Sequence, residues 1–241
     1  MNGDHPIQQA SSGDPSLLAM LRRHPRVGSV SESSSRGIEF RVGDWQREVA
    51  IADPSRELYG LVEVMDNNPL VCADRISVPG PAATLAMIAF APLALSGLLA
   101  DSPVAIFNFE TDSSEIDAGL RSVGWRDGAA VHVELMDLGG VLACTVLASI
   151  QTPSAPEDLD ELYSERYERS FYVLRDESSA WSPELVLGKP HAVYRMAIAV
   201  DQPNSLLTIG VLADSDGKCG ASQAVHAMNV MCGFEETLGI S

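Results

Sequence analysis

The sequence predicts an α/β or α+β protein. Segments with strand composition alternate with segments of helical composition, and no internal repeat is detectable. The stretches "GIEFRVG" and "REVAIAD" alternate apolar and polar residues, which predicts two strands in a hairpin around Gly43–Trp45. With 241 residues and 46% hydrophobic content, the chain can bury one large core or two small ones.

The charge and the cysteines exclude several classes of function. A formal net charge of −17 repels phosphate backbones, so nucleic-acid binding is not expected. The four cysteines form no CxxC pair and no His/Cys cluster with zinc spacing, so no metal site is predicted. The first residues contain no basic segment followed by an apolar one, and we therefore expect free thiols in the cytoplasm.

The remaining elements follow along the chain. "PSLLAMLRR" predicts a short amphipathic helix that starts at Pro15. Alanine, leucine and methionine predict a helix over Ala83–Leu99, which Pro92 should kink or end. Further strands are predicted over "PVAIFNFE", "AAVHVELMD", "GGVLACTVLASI", "HAVYRMAIAVD" and "LLTIGVLAD", and further helices over "SSEIDAGLRSVG", "PSAPEDLDELYSERYERSF" and "ASQAVHAMNVMCGF".

One apolar segment, from Ile76 to Ala100, contains no charged residue. It is long enough to cross a membrane. However, Pro79, Gly80 and Pro92 interrupt it, and no Lys/Arg cluster follows it. We therefore interpret it as a turn followed by a buried core helix.

Several segments resemble N-acetyl-γ-glutamyl-phosphate reductase, an NADPH-dependent enzyme family of arginine biosynthesis with relatives in lysine biosynthesis. The C-terminal "KCGASQAVHAMNVMCGFEETLGI" is the most specific of them. "ASSGDPSLLAMLRRHPRV", "ELYGLVEV", "VPGPAATLAMIAFAPLALSGLL" and "ELYSERYERSFYVLR" are similar to family motifs and keep the family's order. The resemblance implies a semialdehyde-dehydrogenase-type substrate and dimerisation domain over residues 58–241, after a truncated Rossmann-like remnant over residues 1–57. It also implies that the last helix, about residues 220–232, packs back on the N-terminal part.

The chain departs from the family pattern at the positions that carry the chemistry. Pro81 stands where the family has its nucleophilic cysteine, and proline has no thiol. Ser11, Gly13 and Asp14 replace the Gly, Thr and Gly of the dinucleotide loop, and Asp14 would repel a pyrophosphate. Too few residues separate Ser35 from Leu58 for a complete Rossmann half. We therefore expect neither reductase activity nor a cofactor.

Four residues are candidate bases. The resemblance places Asp112 where the family has its catalytic histidine. Glu110 precedes it by two residues, so in a strand both side chains would point to the same side. If buried close together, one of the two carboxyl groups would have a raised pKa. His132 and His191 are further candidates, because each lies in or beside a strand near a segment that lines the family's pocket. The alternative is that all four are ordinary surface or core residues with no role in catalysis.

The second predicted group of site residues binds substrate or an anion. The resemblance places Lys218 and Gln223 where the family also has a lysine and a glutamine, at the start of the last helix. Anions bind well at a helix N-terminus. Gly220, Ser222 and Thr84 complete this predicted group. The alternative for these residues is helix capping and packing.

Two hypotheses of function remain open. The first is a non-reductive enzyme of specialised metabolism that acts on an amino-acid intermediate linked to a small acidic carrier protein. Its reaction would be a lyase-type or cyclase-type step, such as aziridine formation with loss of an anion. The second is a non-catalytic subunit that stabilises or regulates a partner enzyme. Both are compatible with a homo- or hetero-oligomer, and no contact with nucleic acid or membrane is expected.

Overall fold

Two mixed β-sheets organise the chain. The computed structural model describes residues 6–111, 113–177 and 180–240. Its strands and helices confirm the predicted α/β (α+β) class. Asp112 lies outside the described residues.

The first sheet has five strands in the order β2-β1-β3-β4-β5. They are β1 (Gln9–Ser12), β2 (Val30–Glu32), β3 (Ile38–Val42), β4 (Trp45–Ile51) and β5 (Arg75–Val78). β1 pairs with β2 and β4 with β5 in parallel, whereas β3 is antiparallel to both of its neighbours. The hairpin predicted around Gly43–Trp45 is confirmed, and Gly43 provides the positive φ of 62° that its tight turn requires.

Three helices belong to this part of the molecule: α1 (Pro15–Arg23), α2 (Asn67–Cys72) and α6 (Ala221–Cys232). Helices α1 and α6 pack against the sheet and against each other, and α2 packs against α6. The predicted N-terminal helix is confirmed as α1, and Asp14 caps it by accepting hydrogen bonds from two backbone N–H groups. Three elements were not predicted from the sequence: β1, α2 and β5. Because β5 hydrogen-bonds to β4, the first sheet continues past residue 57 to Val78. The division of the chain at residue 57 stays a prediction.

The second sheet has six strands in the order β7-β6-β8-β11-β10-β9. They are β6 (Val104–Phe107), β7 (Ala130–Val133), β8 (Val141–Gln151), β9 (Val173–Arg175), β10 (Ala192–Ala199) and β11 (Asn204–Asp214). The other helices are α3 (Pro81–Ser96), α4 (Ser113–Ser122), α5 (Glu157–Tyr167) and a short 3₁₀ turn (Pro183–Leu185).

Helix α3 forms the centre of the larger core. Every residue from Ala82 to Leu93 is buried, and the helix contacts α4, α5, β8 and β11. A helix that is apolar on all sides belongs in a protein core or a membrane. Because other helices and strands surround α3, it belongs to the protein core. None of the helices in the described part of the chain has the length and hydropathy that a membrane span would need.

The prediction that Pro92 ends the helix is wrong, and a kink at this position stays a prediction. The helix continues from Pro92 to Ser96 and ends at Gly97, which adopts the left-handed conformation. Pro92 has no N–H to donate to the Ile88 carbonyl, four residues earlier. The Tyr167 hydroxyl donates to that carbonyl instead, at 3.1 Å. This replacement hydrogen bond explains how the helix tolerates a proline that the sequence analysis expected to break it.

Candidate functional site

The turn that joins β5 to α3 is fixed by buried hydrogen bonds. The Gln223 side-chain amide donates to the Pro79 carbonyl at 2.9 Å, and the Thr84 hydroxyl donates to the same carbonyl at 3.2 Å. Gln223 also donates to the Thr84 hydroxyl at 3.1 Å. The start of α6 therefore holds the start of α3 in place.

A carboxylate occupies the space in front of this turn. Glu115 lies in the first turn of α4, and its Oε1 accepts a hydrogen bond from the Ala83 backbone N–H at 3.3 Å. Any Cβ at Gly80 would collide with this carboxylate, so glycine is required for its approach. The positive end of the α3 dipole stabilises negative charge at this place. Glu115 was not among the predicted site residues, although an acidic residue in the first turn is a recognisable signal of a helix start.

Glu115 faces a cleft of about 1010 Å³ between the β4–β5 connection and α4. Its lining residues are Ala52, Pro54, Ser55, Arg56, Glu57, Leu58, Tyr59, Met65, Ser114, Glu115, Ala118, Arg121 and Ser122. Tyr59 is only 9% exposed, and its hydroxyl has no hydrogen-bond partner among the described residues. Burial and the nearby Glu115 charge raise the pKa of Tyr59, so the phenol stays protonated and available as a donor.

The backbone also stores strain at the cleft. Ala52 follows β4 and has a φ of 56°, which an alanine adopts only at a cost in free energy. Residues held in this region of backbone space cluster at functional sites. Ala52 therefore agrees with the cleft as the candidate site.

Behind the turn lies a buried network of charged side chains. Lys218 is fully buried and its Nζ lies 2.6 Å from Glu63 Oε1, while His226 Nε2 lies 2.8 Å from Glu236 Oε2. The Tyr172 ring packs at 4.5 Å from the His226 ring. Burial works to raise the pKa of Glu63, but the charge of Lys218 and its hydrogen bond work in the opposite direction, and the pKa lies below its usual value.

Comparisons with known proteins agree on one relationship. N-acetyl-γ-glutamyl-phosphate reductase of Bacillus cereus is 25% identical over 252 residues, covering 84% of this chain and 69% of the relative. The same enzyme of Bacillus anthracis is 26% identical over an equal span. The fold is similar to aspartate semialdehyde dehydrogenase II of Vibrio cholerae in complex with ASA, with a TM-score of 0.64, 12% identity, and coverage of 94% of this chain and 98% of that one. No family model matches the chain.

The chain is a degenerate homologue of the semialdehyde dehydrogenase family. This confirms the resemblance, and the departures seen in the sequence now have a structural setting. Pro81 is the first residue of α3, where the resemblance places the nucleophilic cysteine. The Cys219 thiol is near, with its Sγ 3.9 Å from the Pro81 carbonyl oxygen. Burial raises the pKa of Cys219, so this thiol is not a substitute nucleophile.

The NADP of the semialdehyde dehydrogenase family does not fit this homologue. The Asp14 carboxylate accepts the N–H groups of Ser16 and Leu17, at 2.8 and 3.0 Å, so it occupies the anion site at the start of α1. A Cβ at Gly13 would lie 2.7 Å from the Ser33 carbonyl oxygen, so the neighbouring backbone already fills the space beside the loop. A pyrophosphate would meet a negative charge and no free donors there.

Three of the four predicted bases lie away from the cleft of this homologue. Among the described residues, Glu110, His132 and His191 do not line it. Glu110 is exposed beside a shallow cavity near β7 and β8, and His132 is exposed 3.7 Å from Glu134. His191 is half-buried before β10, where burial and the Lys189 charge lower its pKa.

Four of the predicted anion-binding residues lie at or just before the start of α6 and Thr84 lies in α3, but their polar groups are already engaged. Lys218 is paired with Glu63, and Gln223 and Thr84 hold the Pro79 turn. Gly220 packs so closely that a Cβ would overlap the Ser215 carbonyl, and the Ser222 hydroxyl donates to the Asp216 carbonyl at 3.4 Å. This arrangement agrees with the packing alternative, and a binding role for these residues stays a prediction.

Proposed function

We propose that this chain is a non-reductive paralogue of the acyl-phosphate reductases in specialised-metabolite biosynthesis. Its substrate is an amino-acid intermediate attached to a small acidic carrier protein in the cytoplasm. The reaction closes a nitrogen ring of the aziridine type and releases an anion. The observation that carries the proposal is the Glu115 carboxylate, which faces an open cleft and accepts a hydrogen bond from Ala83, two residues after Pro81.

Each group of the cleft has a role in this reaction. The substrate amine forms a bond to a neighbouring carbon, the bond from that carbon to the anionic leaving group breaks, and the amine proton passes to Glu115. Arg121 is exposed in the same cleft and forms no ion pair with the described residues, so its guanidinium is free to bind the departing anion. Tyr59 donates a hydrogen bond that orients the substrate. Asp112 stays a second candidate base on the sequence alone.

The proposal is tested on the chain purified together with any subunit that accompanies it. The probe is a carrier protein loaded with an amino acid that bears an amine next to an O-phosphate or O-sulfate. Intact-mass spectrometry follows loss of the anion without uptake of hydride. Replacing Glu115 with Gln should slow the reaction by roughly 10²–10⁴-fold, the range of general acid–base catalysis.

A matched control is Glu157→Gln, because Glu157 is an exposed glutamate in the first turn of α5 and lies outside the cleft. It should react at the rate of the unaltered protein. Full turnover by the Glu115→Gln variant would exclude Glu115 as the base. Consumption of NADPH would exclude a non-reductive reaction altogether.

One observation favours the alternative of a non-catalytic subunit in a homo- or hetero-oligomer. Trp181 and the 3₁₀ turn cover one end of the outer face of the second sheet. The other end of this face is exposed and carries small and apolar side chains. Leu206 of β11 is 48% exposed and pairs with Ala199 of β10 and Ser149 of β8, so all three share that face. An exposed apolar face of this kind marks an interaction surface. If a partner subunit alone performs the reaction at the full rate, the chain is such a subunit.

A further inference from the structure

A second, smaller cavity adjoins the buried charged network. It has a volume of about 160 Å³ and shares only Met65 with the cleft. Its lining residues are Val62, Glu63, Met65, Asn67, Arg166, Arg169, Ser170, His226 and Glu236. At about 30 Å³ for each water in the liquid, this space holds a molecule of roughly five or six non-hydrogen atoms.

Two buried polar atoms of the lining lack partners among the described residues. Glu63 Oε1 accepts hydrogen bonds from Lys218 at 2.6 Å and from Ser170 at 3.3 Å, but Glu63 Oε2 accepts none. His226 Nε2 must donate to Glu236, because a carboxylate only accepts. His226 Nδ1 then has no partner, since Glu63 Oε1 at 3.9 Å is too distant for a hydrogen bond.

Both atoms can accept a hydrogen bond from the same donor group. Glu63 Oε2 is an acceptor, and Nδ1 of a neutral imidazole that donates through Nε2 is also an acceptor. A primary ammonium has three N–H donors and can satisfy both atoms at once. The Glu63 side chain is 4% exposed and that of His226 is 1% exposed, so a group bound between them is shielded from water.

The lining also carries positive charge. Arg166 and Arg169 are exposed, and Arg169 has only a long contact of 3.9 Å with Glu168. Arg166 forms no ion pair within the described part of the chain. Guanidinium groups bind carboxylates in a bidentate geometry. The cavity therefore combines acceptors for an ammonium with donors for a carboxylate.

We propose that this cavity binds a small zwitterionic α-amino acid, of the size of glycine or alanine. Its ammonium group lies between Glu63 and His226, and its carboxylate contacts Arg166 and Arg169. This site is independent of the proposed function, because it uses neither Glu115 nor Tyr59. A chain that lacks all cyclisation activity could still bind the ligand here.

Saturation-transfer NMR with the methyl group of L-alanine tests the site on the intact protein. L-Alanine should receive saturation. Acetate carries only the carboxylate and methylamine only the ammonium group, so each should bind at least tenfold more weakly. The double variant Arg166→Gln/Arg169→Gln should weaken binding by about tenfold or more, since it removes the charge-assisted hydrogen bonds to the carboxylate. Both arginines are exposed, so this variant should fold normally.

The matched control is Arg22→Gln, which removes an exposed arginine of another helix, α1. It should leave L-alanine binding unchanged. Equal binding of L-alanine by the double variant and the unaltered protein would overturn the proposal. So would a lack of saturation transfer, which would mean that ordered water alone satisfies Glu63 and His226.

Discussion

Glu63 and Lys218 join two segments that are 155 residues apart in sequence. Both side chains are almost completely removed from water, with exposed fractions of 4% and 0%. Taking two charges out of water is costly, and their attraction offsets this cost only while both partners are present. The pair therefore fixes the start of α6 against the segment that precedes α2.

The Lys218→Met variant should lower the free energy of unfolding by about 3–5 kcal/mol, because it leaves the Glu63 charge buried and unpaired. Urea denaturation measures the change. The double variant Glu63→Gln/Lys218→Met should recover most of the loss, since neither charge remains. A single variant that costs less than about 1 kcal/mol would show that Glu63 reaches solvent or takes up a proton in the folded state.

At the scale of the element, α3 shows how one tertiary contact overrides a local signal. Proline in a helix interior is unfavourable by about 3 kcal/mol, mainly because it removes a hydrogen bond and crowds the carbonyl four residues earlier. Tyr167 of α5 donates to the Ile88 carbonyl at 3.1 Å. The neighbouring Tyr163 donates to the Ala89 carbonyl, which does not depend on Pro92 for its partner.

The Tyr167→Phe variant should destabilise the fold by about 1–3 kcal/mol, because it leaves the buried Ile88 carbonyl without a donor. In a Pro92→Ala background the cost should be smaller, since an alanine at this position supplies the N–H that proline lacks. A double-mutant cycle in urea measures this coupling.

Tyr163→Phe is the control, and its cost should be equal in both backgrounds. If Tyr167→Phe also costs the same in both backgrounds, the tyrosine does not compensate for the proline.

At the scale of the whole molecule, the two sheets differ in how they are covered. Helices α1 and α6 pack on the first sheet, whereas α3 and α5 cover one face of the second sheet and its other face is partly exposed. The formal net charge of −17 keeps molecules apart through repulsion, and this repulsion is weak only where a surface carries few charges. The open face of the second sheet is such a surface.

The Leu206→Glu variant should weaken any oligomer that the chain forms through this face, because it places a charge on the exposed part of it. Sedimentation velocity at several protein concentrations measures the effect. Leu95→Glu is the control, since Leu95 is 46% exposed at the end of α3, away from the sheet face. Equal oligomerisation by all three proteins would show that the interface lies elsewhere.

The sequence by itself determined the fold class, most elements and the family relationship. Period-2 alternation located the β3–β4 hairpin, and the uncharged run before Ala100 located the central helix. Pro81 revealed the loss of the nucleophile, because proline has no thiol in any fold. These features are local in the chain, or depend on residue identity alone.

Only the tertiary structure decided which polar groups meet. Glu115 is part of the candidate site because α4 packs on the start of α3. Glu110 is not, because it lies beside a different cavity, with the segment that joins β7 to β8. Lys218 has the same sequence position as in the family, but its partner Glu63 lies far away along the chain. Local sequence patterns report periodicity and residue type, whereas a site depends on distances between segments that only packing brings together.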